Sequence, residues 1–326
     1  MGDRFQRGRR AGQVVALAPV MLAVIGGIVA LTADVGSMFV EKARLQNAAD
    51  AASLAAAYVL VERRASGATE GDARAAALTE ATAIKQANRA EAGLNVQFGC
   101  WQNGTFATAG MGTPATAVKV TTTRNQNAPG GCVTLSFARL LGIRTCDVAA
   151  LAACEATSQI GGFLGGLRPF AVDRHCLAPI GQVITFYDQE KVAPGNFGLL
   201  DLNGGANSTP ELARWIHYGY DGEVTVGAGG YCWISGDPGW RAALKDDIQA
   251  IWGEEIFVPV YDEVIDNGGN ASYRIVGFAG ITITDSNLTA KTKYIKCRVT
   301  EMRSVHDVIV GGSWSSPNLC KVYLAD

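Results

Sequence analysis

The chain has 326 residues, a formal net charge of −2 and 48% hydrophobic residues. That length allows two or three domains with an ample core. A balance this near neutrality excludes the concentrated basic face of a nucleic-acid-binding protein, so no nucleic-acid partner is expected.

The chain opens on a basic tip, residues 1–13, that holds Arg4, Arg7, Arg9 and Arg10. Val14–Ala33, "VVALAPVMLAVIGGIVALTA", carries no charge. Its twenty residues at about 1.5 Å each match a hydrocarbon core of about 30 Å. The arginines hold the N-terminus in the cytoplasm and send the rest outward. The expectation is a single pass through the inner membrane, residues 14–33, with the bulk of the chain periplasmic or extracellular. A cleavable signal would have a shorter apolar core and an A-x-A-like site, and Leu31 is a poor match to that site. Two small-residue pairs, Ala23 with Gly27 and Gly26 with Ala30, would let another membrane helix approach closely. The general abundance of small residues in membrane helices explains them equally well.

From Glu41 onward the sequence is strongly helix-forming and interrupted only by Gly36 before it, so membrane and external portions are expected as one helix. Leu45, Ala49, Ala52, Ala56 and Val59 trace one apolar stripe, and Gln46, Asp50 and Ser53 a polar one. An alanine stripe gives little hydrophobic drive but permits close backbone approach. It would pack against a partner or against the chain's own globular part, unless it is an ordinary surface helix.

Three features of this block carry a resemblance: Gly12-Gln13, Asp34-Val35-Gly36, and Leu45 to Ala52, "LQNAADAA". At this spacing they resemble the N-terminal region of TadG-like proteins of the Tad (tight adherence, Flp) pilus-assembly system. "NVQFGCWQNGTF" and "LSFARLLGIRTCDVAALAACEA" are similar to the strand-rich section that follows in such proteins. "PGNFGLLDLNGGA", "VPVYDEV" and "VGFAGITIT" look like a C-terminal region of a subset. The resemblance implies other Tad pilus-assembly proteins or pilin-like subunits as partners, self-association among them. Two departures limit it. The Asp-x-Ser-x-Ser metal motif of relatives with a von Willebrand A domain does not occur, so no metal-dependent adhesion site is carried over. Leu17 stands where a processed prepilin has Glu, five residues after Gly12, which favours a permanent anchor.

A second helix is expected over Thr69–Ala92, with Thr69 and Asp72 near its start and Gly93 closing it. Residues 95–124 turn to strands around the hairpin signal Asn103-Gly104. "CDVAALAACEA" is ambiguous between strand and helix, and the resemblance decides for strand. These segments form an expected pilin-like α+β domain over 34–157. "SQIGGFLGGLRP" is Gly-rich and reads as a linker over 158–168. Residues 169–326 read as a second, β-rich domain. Its strands are expected near Gln182–Tyr187, Glu223–Val226, Ile256–Tyr261, Arg274–Ile283 and Tyr294–Val299, and its helices over Thr209–Tyr218 and Gly239–Trp252. The fold class is therefore α+β: a transmembrane helix continuing into a long external helix on a small sheet, then a mixed β-rich domain.

All eight cysteines follow the membrane segment: Cys100, Cys132, Cys146, Cys154, Cys176, Cys232, Cys297 and Cys320. An even number in an exported region suggests disulfides, with buried thiols as the second reading. Metal binding is a third, disfavoured because no CxxC pair occurs and the three histidines are scattered. If disulfides form, the linker divides them into four and four, with bonds inside each group. Asp173, His175 and Cys176 would not act together, because neighbours on a strand point apart. Asp262 and Glu263 fail as a carboxylate pair for the same reason, and read as a solvated turn. No phosphate loop, GxSxG or HExxH occurs. No catalytic, cofactor-binding or metal-ligating residue is assigned. The expected function is a non-catalytic, membrane-anchored component of pilus assembly or of the pilus, adhesion-related. The alternative is a membrane-tethered periplasmic enzyme with a site in the second domain.

Overall fold

The computed structural model describes residues 3–88, 91–102, 105–110, 113–177, 180–188, 199–205, 207–227, 229–236, 242–265, 271–289 and 293–325. Two helices, α1 (Asp3–Ala65) and α2 (Glu70–Ala87), lead into β1 (Gly93–Gln102), β2 (Thr105–Thr108), β3 (Ala117–Arg124), β4 (Val133–Thr134), β5 (Thr145–Cys146) and β6 (Val148–Thr157). Next come β7 (Ile160–Phe163), β8 (Val172–Asp173), β9 (Val183–Asp188), α3 (Thr209–Tyr218), β10 (Val224–Thr225), β11 (Cys232–Ser235) and α4 (Lys245–Ala250). The chain closes with β12 (Glu255–Ile265), β13 (Ser272–Asn287), β14 (Tyr294–Val299), β15 (Arg303–Ser304), β16 (Val308–Val310) and β17 (Leu319–Leu324). The fold is α+β.

The chain divides into two compact units: residues 1–53, 79–97 and 119–153 form the first, and 54–78, 98–118 and 154–326 the second. In the first unit, the segments of β6, β3 and β1 lie side by side in that order. Leu45 and Ala48 of α1 pack with Ala92 and Ala150 in its core. Small side chains let the backbones meet. Thr122 on β3 donates its hydroxyl to the Leu45 carbonyl at 3.0 Å, and Gln46 donates to the Leu151 carbonyl at 2.9 Å.

The expected second helix ends at Ala87, and Gly93 opens β1 instead of closing the helix. A Cβ on Gly93 would come within 2.9 Å of the Thr123 hydroxyl, so close strand approach demands glycine there. Strands β1 and β2 pair antiparallel from Gly99–Thr108 to Gln102–Thr105, and the Asn103-Gly104 turn between them lies outside the described residues.

In the second unit, Ile160–Phe163 within the Gly-rich stretch is a fully buried strand, flanked by β10 and β16. Its glycines serve close packing: a Cβ on Gly162 would meet the Thr225 methyl at 2.6 Å. A second sheet runs β8-β12-β13-β14-β9, with β11 also paired to β13. Phe163 stacks on Phe278 and Phe257 at centroid distances of 5.1 and 5.4 Å, inside a core that includes Trp215, Ile281 and Ile295. Helix α3 begins where its sequence signal stands. Ser208 accepts the Glu211 N–H at 3.3 Å, and Gly219, at φ 86°, ends the helix. The helix expected over Gly239–Trp252 is shorter, a 3₁₀ turn at Ala242–Leu244 and then α4; residues 239–241 lie outside the described set.

Candidate functional site

Helix α1 changes character along its length. Leu17, Val20, Met21, Leu22, Val24 and Ile25 are each more than half exposed. Among the described residues, α1 is the one helix long and apolar enough to cross a membrane. Ala23, Gly26 and Gly27 are exposed, and Ala30 is half-buried. A Cβ on Gly26 or Gly27 would meet nothing within 4 Å.

From Leu45 onward the burial reverses. Leu45, Ala49, Ala52 and Ala56 are completely buried, as are Ala48, Ala57 and Leu60. Val59, placed on the stripe by its spacing, is half-buried, and Ser53, placed on the polar face, is completely buried. Ser53 tolerates burial because its hydroxyl donates to the Asp50 carbonyl at 2.9 Å.

The junction holds contacts that sequence reasoning missed. Asp34 is 3% exposed. Its Oδ1 accepts the Ser136 N–H at 2.7 Å, and its Oδ2 accepts those of Phe137 at 3.0 Å and Ala138 at 2.6 Å. Those amides start a 3₁₀ turn, Ala138–Leu141, at the tip of the β4–β5 hairpin. The turn's own N-cap residue, Phe137, supplies no side-chain bond, so a carboxylate about 100 residues away in sequence caps it. Two turns along, Glu41 binds Arg124 at 2.7 Å. In sequence, Asp34 is the first charge after an apolar run and part of the Asp34-Val35-Gly36 feature, with nothing nearby to show its remote partners.

Within the second unit Glu70 gathers two arginines, Arg64 at 2.6 Å and Arg74 at 2.7 Å, and accepts the Ala115 N–H at 3.2 Å. Arg74, 6% exposed, donates to the carbonyls of Ala109, Gly110 and Thr113. It thus ties α2 to the loop before β3.

Asp173 ends β8, while His175 and Cys176 lie in the turn that follows, and Asp173 accepts both the backbone N–H of His175 and a contact from its ring Nδ1 at 3.0 Å. Asp262 and Glu263 share one partner: Arg274 reaches Asp262 at 2.8 Å and Glu263 at 2.6 Å. A register irregularity at Asp262 cancels the strand alternation that would have parted them. Arg274 holds the Asp262 carboxyl below its ordinary range. Among the described residues no group of three or more His, Cys, Asp or Glu side chains is placed to hold a metal ion. A groove of about 470 Å³ in the second unit is lined by Arg64, Thr116, Thr157, Gln159, Ser315 and Pro317 among others.

The cysteines are dispersed. Cys154, Cys297 and Cys320 are buried, Cys100, Cys132, Cys146 and Cys232 are half-buried, and Cys176 is exposed. On the strands, Cys100 faces Ala107, Cys146 faces Val133, Cys154 faces Leu324, Cys232 faces Ile275 and Cys297 faces Ile283. Cys232 and Cys297 therefore attach to points eight residues apart on β13, roughly 26 Å at 3.3 Å per residue, beyond disulfide reach.

Residues 12–59 match the family model of Flp pilus-assembly TadE/G-like proteins, and residues 40–153 match that of Tad-like Flp pilus-assembly proteins. The chain is a TadG-like protein of the Tad/Flp pilus-assembly family. The two matches overlap on residues 40–59 of α1, where exposure gives way to burial. No curated protein and no solved structure matches the chain. Tad/Flp pilus assembly is thus the process in which this protein takes part, and its apolar helix associates it with a membrane.

Proposed function

We propose that this TadG-like protein is a non-catalytic scaffold or minor-pilin-like component, held in the inner membrane by one pass of α1 with its bulk outside the cytoplasm. The observation that carries this reading is the reversal of burial along a single helix. An exposed apolar half is suited to lipid, and in the other half Ala49, Ala52 and Ala56 are completely buried while Leu45 and Ala48 pack with Ala92 and Ala150. A helix built this way rigidly couples an anchor to an exported body, as a structural subunit requires. The basic tip before the apolar run supports the orientation. Partners would be other Tad components or pilin-like subunits, with exposed Ala23, Gly26 and Gly27 as a surface for a second membrane helix.

Protease added to spheroplasts tests the topology: digestion of the bulk is expected, and its protection would overturn the orientation. Labelled protein should co-purify with Tad components from the envelope or on sheared pili. Recovery free of both, with hydrolytic activity in the exported fragment, would establish the enzyme alternative.

A further inference from the structure

We propose that the β4–β5 hairpin tip is a second membrane contact, lying in the lipid headgroup layer beside α1. It rests on the reading of α1 as a membrane anchor.

The tip exposes four large apolar side chains in a seven-residue span: Phe137 is 44% exposed, Leu140 87%, Leu141 83% and Ile143 55%. Its inward residues, Val133 and Leu135, are buried, so the hairpin already has an inner face and shows a second, uncovered one. No acidic residue occurs from Val133 to Cys146, and two arginines are exposed, Arg139 between the apolar side chains and Arg144 directly after Ile143. Apolar side chains flanked by arginines whose stems can lie on lipid while the guanidinium reaches phosphate fit an anionic bilayer surface.

The height of the tip names its partner. Three successive amides of the turn bond to Asp34, the residue that directly follows the uncharged run Val14–Ala33. The hairpin is therefore fixed at the level where α1 leaves the membrane. Apolar side chains of α1 are exposed on both sides of that point, Leu31 at 63% before it and Phe39 at 67% and Val40 at 54% after it. Exposed helix and exposed tip make one apolar belt on both sides of Asp34. A bare carboxylate inside such a belt would be costly, and the three N–H groups remove that cost. The tip is thereby continuous with the lipid-facing surface of the anchor, and a bilayer covers both.

The test places tryptophan at the tip. The full-length Leu141→Trp chain is reconstituted into phosphatidylethanolamine–phosphatidylglycerol vesicles containing phosphatidylcholine brominated near the headgroup end of its acyl chains. Its emission is read after subtraction of the wild-type signal. Leu140→Trp serves as a second probe should the first variant lose the wild-type thermal transition. The expected result is blue-shifted emission that the brominated lipid quenches. Emission at the water-exposed wavelength without quenching, in a chain that resists carbonate extraction, overturns the proposal and leaves the anchor standing. Blue-shifted but unquenched emission assigns the tip to a protein surface and also overturns it. Extraction of the chain by carbonate overturns the anchor reading, and the proposal with it.

Discussion

Asp34 Oδ2 accepts the backbone N–H of Ala138 at 2.6 Å, joining a helix residue at the end of the apolar run to a turn 104 positions further along the chain. With Ser136 and Phe137 bonded to the same carboxylate, the cap of the turn depends on one side chain of α1. Asp34→Ala should leave three amides without a partner. Hydrogen exchange at Ser136–Ala138 is then expected to accelerate by about tenfold or more, the factor set by loss of charge-assisted bonds. Unchanged exchange would show that another group caps the turn.

The alanine stripe gives a stability prediction. Ala52 is completely buried on α1. Ala52→Leu adds three carbons where the backbones already approach closely, at an expected cost of about 1–3 kcal/mol. Gly26→Leu, at a position with nothing within 4 Å of a new Cβ, should leave the unfolding midpoint in detergent unchanged. Denaturation of the two variants side by side checks the contrast. Equal midpoints would place the stripe at solvent.

Acid should act through Asp262. Its hydrogen bond from Arg274 keeps the folded carboxyl below the ordinary carboxylate range, so the folded state binds fewer protons than the unfolded one near pH 4. The stabilisation is present above the unfolded value and is lost as pH falls through the folded one. Asp262→Asn should flatten the acid limb of the stability–pH curve and lower stability at neutral pH, measured by urea midpoints. A parallel shift of the curve without flattening would contradict this account.

Thiol labelling should separate folded from unfolded chain. Burial pushes the thiols of Cys154, Cys297 and Cys320 up to about 12. At pH 8 they are protonated and shielded, and a maleimide should leave them unmodified until denaturant is added. Mass spectrometry of labelled peptides reads each site. Modification of all three in the native chain would show that the second unit opens readily.

Much of the architecture was legible in the sequence because it depends on local chemistry. The uncharged twenty residues and the alanine-rich continuation made α1 readable as one helix, and the Thr-Pro start signal placed α3 at Thr209–Tyr218. The β-prone run at Tyr294–Val299 is strand β14 at the expected bounds. Other features required neighbours remote in sequence. The glycines of 158–168 suggested flexibility, yet Ile160–Phe163 is a strand because Thr225 and β16 press on it. Asp262 and Glu263 alternate in sequence terms, and only a bulge against β13 turns both to Arg274. Asp34 stands out in sequence as part of Asp34-Val35-Gly36, but its capping role appears only when three amides from Ser136–Ala138 close on it. Helix periodicity and caps are written within a few residues, so sequence alone determines them; buried charge and strand register depend on which distant groups arrive, and only the tertiary structure decides those.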